Sequence, residues 1–132
     1  MNISLTKGTS DALNTLNSLN ERQSFINNVV TDCMNIKRYK RLLLRRLDAS
    51  RVNVDLCDGI DVVAFKDDEM AIIKCIYNSD NSVEKNPDEY LDALKTLETA
   101  KEYYMGINPG KRIVMMHVKN IGEERLYSLH NI

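Results

Sequence analysis

Two apolar runs joined by a short charged link constrain the fold of this chain more than any other feature. Residues 60–65 read Ile-Asp-Val-Val-Ala-Phe, and residues 70–77 read Met-Ala-Ile-Ile-Lys-Cys-Ile-Tyr. Between them lie Lys66, Asp67, Asp68 and Glu69. β-Branched and aromatic residues recur in both runs, so they predict two strands and a hairpin with a polar tip. The second run is apolar toward both sides, the pattern of a central strand covered on both faces. Asp58 and Gly59, just before the first run, predict a turn or bulge.

The flanking elements follow from local signals. Ser10 or Thr9 can cap a helix that starts at Asp11, and no proline or glycine interrupts the chain from there to Asp48. Leu13, Leu16 and Leu19 make one apolar stripe; Phe25, Val29, Cys33 and Ile36 make a second. Asn20 can cap a new helix, so a break is expected near residue 20. Residues 51–56 alternate apolar and polar, which predicts a first, half-buried strand. Asn86, Pro87, Asp88 and Glu89 combine a cap, a first-turn proline and two acids near the positive end of a helix dipole. Tyr90, Leu94, Leu97, Ala100 and Tyr104 extend that helix as one buried stripe, with Gly106 as its left-handed stop. After a turn at residues 108–110, Arg112 to Val118 predicts a fourth strand, residues 120–122 another turn, and residues 126–132 a last strand or short helix.

The expected class is therefore α/β, more narrowly α+β, in the order α(α)βββαβ, with a mixed sheet flanked by helices. One domain spans residues 1–132: a loose start over 1–9, a helical part over 10–48 and an α/β core over 50–132. The 132 residues are 43% apolar and 28% charged, an ordinary globular mix with enough chain for one core. Cys33, Cys57 and Cys75 are odd in number and form no CxxC pair, which argues against a disulfide framework and a zinc knuckle. The start carries no apolar run of signal-peptide length, and no stretch reaches the ~20 apolar residues of a membrane span. The expectation is a soluble, cytoplasmic protein.

The element order and residues 59–65 (Gly-Ile-Asp-Val-Val-Ala-Phe), followed by the apolar strand that holds Lys74, carry a resemblance. They resemble the core of the PD-(D/E)xK, or restriction-endonuclease-like, superfamily, where a similar glycine, aspartate and apolar run precedes such a strand. The resemblance covers about half the chain. It implies two carboxylates on adjacent strands that hold a Mg²⁺, and a lysine two residues after the second acid. Asp61 fits the first acid and Lys74 the lysine. The second acid position is then Ile72; if Lys74 instead occupies the acid position, the lysine position is Ile76. Ile72, Lys74 and Ile76 share one strand face, so either register leaves a branched alkyl group where the chemistry needs an ion ligand or an ammonium. Glu21, Asp88, Glu89 and Asp92 are candidates for a displaced acid. Without a metal, Asp61 and Lys74 can simply pair.

A basic run is the second feature. Six of the ten residues from Lys37 to Arg46 are Lys or Arg, although the whole chain carries a net charge of −1. On a helix, Lys37, Arg41 and Arg45, with Arg38 beside them, form a stripe that can contact nucleic-acid phosphates or an acidic partner, or lie solvated. His117, in an apolar strand, reads as a core or interface residue, and Cys57 as a buried thiol. In size and composition the chain also resembles the small RNA polymerase subunits of yeast cytoplasmic linear killer plasmids. Together these resemblances imply a non-catalytic, nuclease-fold accessory subunit of a larger nucleic-acid machine, a DNA-directed RNA polymerase acting in transcription. Its partners are larger protein subunits and, through the basic stripe, nucleic acid; it needs no cofactor. Apolar surface on the last strand and at Met115 and Met116 is expected to meet the partner. The alternative is a Mg²⁺-dependent endonuclease or junction resolvase with a displaced carboxylate and Asp61 as metal ligand.

Overall fold

The computed structural model describes residues 7–47, 56–76, 87–121 and 124–130. A long helix, α1 (Lys7–Asn35), leads into a short strand, β1 (Arg41–Leu44). The hairpin of β2 (Val62–Phe65) and β3 (Glu69–Ile76) follows. Helix α2 (Pro87–Ile107) then crosses to β4 (Arg112–Ile121), and β5 (Glu124–His130) returns beside it. The five strands lie in chain order in one sheet. β1, β2 and β3 form an antiparallel meander, β3 and β4 are parallel, and β4 and β5 are antiparallel. The class is α/β with a mixed sheet, as the pattern of runs predicts.

One helix covers each face. Phe25, Ile26, Val29 and Cys33 of α1 pack on Val62, Ala64, Ala71, Ile73, Cys75, Met116 and Val118. Leu97, Ala100 and Tyr104 of α2 pack on Val63, Phe65, Met70, Ile72 and Met115. β3 is buried on both sides, which explains its nearly unbroken apolar sequence. Each buried Ile, Val or Leu contributes roughly 1.5–3 kcal/mol, so these two layers hold the fold.

Several expectations need correction. α1 starts at Lys7, before the expected Asp11, and runs through residue 20 without a break. Asn20 gains less as a cap than the chain gains by continuing its hydrogen-bond ladder, since a new helix must be nucleated afresh. The basic run is not helical. α1 ends at Asn35, Arg38 takes a left-handed φ of 63°, and the Tyr39 N–H bonds back to the Cys33 carbonyl at 2.9 Å. Arg41 to Leu44 then pair with Phe65 to Val62. The helical propensity of Leu, Lys and Arg yields there to sheet pairing, because Leu42 and Leu44 face the α1 core and Leu43 the α2 core. Gly106 lies inside α2 rather than ending it, and Gly110 takes the positive φ of the following turn. Ala93 is buried on α2 while Tyr90 is 40% exposed, so the helix presents a face slightly rotated from the predicted stripe. β4 extends to Ile121, past the turn expected from Asn120, and the last element is a strand. The strand expected over residues 51–56 lies outside the described residues except at Leu56.

Candidate functional site

The register of the sheet brings the sequence candidates onto one line. Leu44 pairs with Val62 and Val62 with Ile73. One step further, the Arg45 N–H donates to the Asp61 carbonyl at 2.7 Å, and the Asp61 N–H to the Ile73 carbonyl at 3.0 Å. Arg45 and Lys74 thus flank Asp61 across the strands. Lys74 pairs with His117, and His117 with Ser128. Arg45, Asp61, Lys74, His117 and Ser128 form a polar row across all five strands. Strand parity puts it on the α2 side, with Val63, Ile72 and Met115 one rung away.

Asp61 is 5% exposed and firmly held. Its Oδ2 accepts the Cys75 N–H at 2.9 Å, and its Oδ1 lies 3.6 Å from Arg45 Nε. The Arg45 guanidinium also donates to the Ile60 carbonyl at 2.9 and 3.1 Å and to the Cys57 carbonyl at 2.9 Å. Arg45 is therefore a clamp on the turn that presents Asp61, not a member of an exposed helical stripe. Gly59 makes that turn possible. Its φ is +81°, and a β-carbon there would come 2.6 Å from Thr96 Cγ2 of α2. The same β-carbon would lie 3.8 Å from Lys74 Nζ, so the ammonium rests over the turn, between β3 and α2.

The displaced acids do not gather at Asp61. Glu21 is exposed on α1, which covers the opposite face. Asp88 and Asp92 are exposed on α2. Glu89 turns to Lys119 of β4, with 3.7 Å between carboxylate and ammonium, both largely buried. Ile72 is fully buried, and Ile76 is half-buried on the same face. Among the described residues, no three His, Cys, Asp or Glu side chains are grouped to hold a metal ion.

The row continues into a pair of buried histidines: His117 is the core residue that its apolar strand predicts, and its pairing with His130 is not signalled by the sequence. His117 Nδ1 and His130 Nε2 share a hydrogen bond, one ring N–H donating to the bare nitrogen of the other. Tyr90 of α2 stacks against His130 at 4.7 Å and meets His117 edge-on at 6.2 Å. Burial, helped by the repulsion that a proton there would meet from His130 once protonated and from Lys119, pushes His117 down to about 4. His130 is also lowered, again by burial. Both rings are thus neutral at pH 7. The signal that finds them is the pairing of Ile121 with Glu124, which fixes His117 opposite Ser128 and His130 opposite Met115.

Across the sheet, Asp32 of α1 accepts from Arg125 and from the Tyr127 hydroxyl, both on β5, at 2.5–2.9 Å. This ties the helix to the last strand, and the Arg125 hydrogen bond is the main reason the Asp32 carboxyl is lowered. The cysteines are free, and burial pushes the Cys33 thiol up to about 11, so it is protonated and unreactive. Among the described residues, no helix is long and apolar enough to cross a membrane. Comparison with known proteins found no matching family model, no matching curated protein and no matching solved structure.

Proposed function

We propose that this chain is a nuclease-fold accessory subunit that does not cut nucleic acid itself and docks on a larger nucleic-acid enzyme. The observation that carries this reading is the state of Asp61. Its carboxylate is buried and already engaged by Arg45 and the Cys75 amide, with fully buried Ile72 on the same face. A divalent ion at Asp61 would meet a guanidinium 3.6 Å from one carboxylate oxygen. It would also find a branched alkyl group where a second oxygen ligand is needed. The element order supports the fold assignment: helix, three-strand meander, crossover helix, parallel strand, one helix per face. The kind of machine, a DNA-directed RNA polymerase, follows from the resemblance in size and composition.

Docking falls to β5. It is a seven-residue edge strand, and Leu126 and Leu129 are 40% and 58% exposed. Among the described residues no strand pairs with that edge, and such an edge with apolar side chains suits a partner that adds a strand or packs over it. Met115 and Met116, expected to share in that surface, are 2% exposed and belong to the core instead. The test is a cleavage assay with the purified chain on single- and double-stranded DNA and RNA, with Mg²⁺ or Mn²⁺. No cleavage is expected. Cleavage that vanishes in Asp61→Asn would return the chain to the active nucleases. Tagged in its native source, the chain should co-purify with the large subunit of a polymerase in equal amount.

A further inference from the structure

The end of the sheet remote from Asp61 gathers cations from three separate parts of the sequence. Arg41 opens β1, Lys66 follows β2, and Lys111 precedes β4. Arg38 stands in the turn before β1. Residues 37–41, 66–69 and 111–112 hold seven Lys or Arg against three acids, in a chain whose net charge is −1. Two of the three acids there are already engaged, and the third, Asp68, is exposed. Asp67 holds Lys40 at 2.8 Å, and Glu69 accepts from the Tyr39 hydroxyl at 2.6 Å and lies 4.0 Å from Arg112.

Arg38, Arg41, Lys66 and Lys111 have no ion pair among the described residues. Instead, three of them are fixed on aromatic faces. Arg41 lies 4.3 Å and Lys111 5.1 Å from the centre of the Phe65 ring, and Lys66 lies 4.4 Å from that of Tyr39. Two cations converging on one ring repel each other, and a bound anion relieves that repulsion. The rings hold the cations in place, so less side-chain freedom is lost when an anion binds. Arg38 stands beside them in the left-handed position that ends α1, where an arginine is less comfortable than glycine or asparagine.

We infer that this end of the sheet binds the phosphodiester backbone of a nucleic acid, through Arg38, Arg41, Lys66 and Lys111, without reading sequence. The inference rests on the proposed accessory-subunit reading and names where that subunit meets the nucleic acid. It relocates the basic stripe: Arg38 and Arg41 stay in it, Lys37 leaves it for the face of Tyr127, Arg45 leaves it for Asp61, and Lys66 and Lys111 join.

The experiment titrates the full chain into a labelled DNA duplex and into its single strand, and follows fluorescence anisotropy at rising salt. With four phosphate contacts, the logarithm of affinity should fall with that of salt with a slope of about −3 to −4, a loss of roughly a hundredfold between about 50 and about 200 mM. Arg41→Gln with Lys111→Gln should weaken binding at least about tenfold and flatten the slope by about two. Arg38→Gly should weaken binding several-fold while raising Tm, a combination that loss of folding does not produce. Lys95→Gln, on the exposed side of α2, should bind as the parent does. Failure to bind at low salt, or binding with a slope near zero, would overturn the inference. So would tight binding to anionic phosphatidylserine vesicles or to poly-glutamate by a chain that ignores both DNA forms. Failure here alongside co-purification with a polymerase removes only this surface. Binding accompanied by Asp61-dependent cleavage removes the accessory-subunit reading and leaves the surface.

Discussion

Two neighbouring rungs of the same sheet, one facing each helix, have opposite chemistry. Toward α1 the rung is Leu44, Val62, Ile73, Met116 and Leu129. One residue along each strand, toward α2, it is Arg45, Asp61, Lys74, His117 and Ser128. The first, apart from the exposed Leu129 at the edge, needs only volume and burial. The second needs every member answered, because a buried polar group without a partner costs more than the pair contributes. A fold that asked only for stability would make both rungs apolar. The second rung is therefore polar where packing alone would accept apolar side chains.

Breaking either rung should have the largest effect. Asp61→Ala leaves the Cys75 amide without its acceptor and the part-buried Arg45 guanidinium without its carboxylate, and should destabilise the chain by about 2–4 kcal/mol in urea unfolding. A loss under about 1 kcal/mol would mean that the rung is not coupled. Asp61→Leu combined with Arg45→Leu should recover only the part of that loss due to the unmet charge, since the double variant also gives up the Arg45 hydrogen bonds to the Ile60 and Cys57 carbonyls. On the apolar rung, Ile73→Ala should remove about 2–5 kcal/mol through the cavity it leaves, with the same loss at pH 5 and pH 7.

Acid should separate the two faces more sharply. The folded pKa of His117 is about 4 against 6.5 when unfolded, so the unfolded chain binds the extra proton first. The stability tied to the neutral ring is complete above pH 6.5 and is lost as pH falls from 6.5 through about 4. Lys119 and Lys74 add positive charge on β4 and β3, while Glu98 of α2 opposes it at His130 and Glu89 pairs with Lys119. Tm measured across that range should fall by an amount equivalent to roughly 1–3 kcal/mol. His117→Gln should flatten the dependence, and an unchanged profile would assign the acid response elsewhere. The smallest expected effect tests neither rung. Gly106 sits inside α2 with open space where a β-carbon would go, so Gly106→Ala should stabilise by about 0.5–1 kcal/mol.

What the sequence reveals of this fold divides along the same line. The β2–β3 hairpin is legible because its residues are β-branched and its tip is polar, both local facts. Helix α2 is legible from Pro87 and the two acids after it. β1 is not, because Leu42, Leu43 and Leu44 become a strand only by pairing with Val62 to Ala64, some twenty residues away. The role of Arg45 was hidden for the same reason: it reads as one charge in a run until the register sets it beside Asp61. Strand parity alone already places Ile72 on the Lys74 face, so the gap in the nuclease pattern needs no coordinates. The histidine pair does need them, since residues 117 and 130 meet only through the β4–β5 register.

That register has an evolutionary corollary. Ile121 pairs with Glu124, so two residues join β4 to β5. A slip of β5 by one residue along β4 would turn His130 toward α1 and Tyr127 away from Asp32, reversing every side chain of β5 at once. An inserted residue that leaves the pairing in place only lengthens the connection. In any lineage descended from this chain, the connection is free to change length so long as the pairing of His117 with Ser128 and of Met115 with His130 keeps its register.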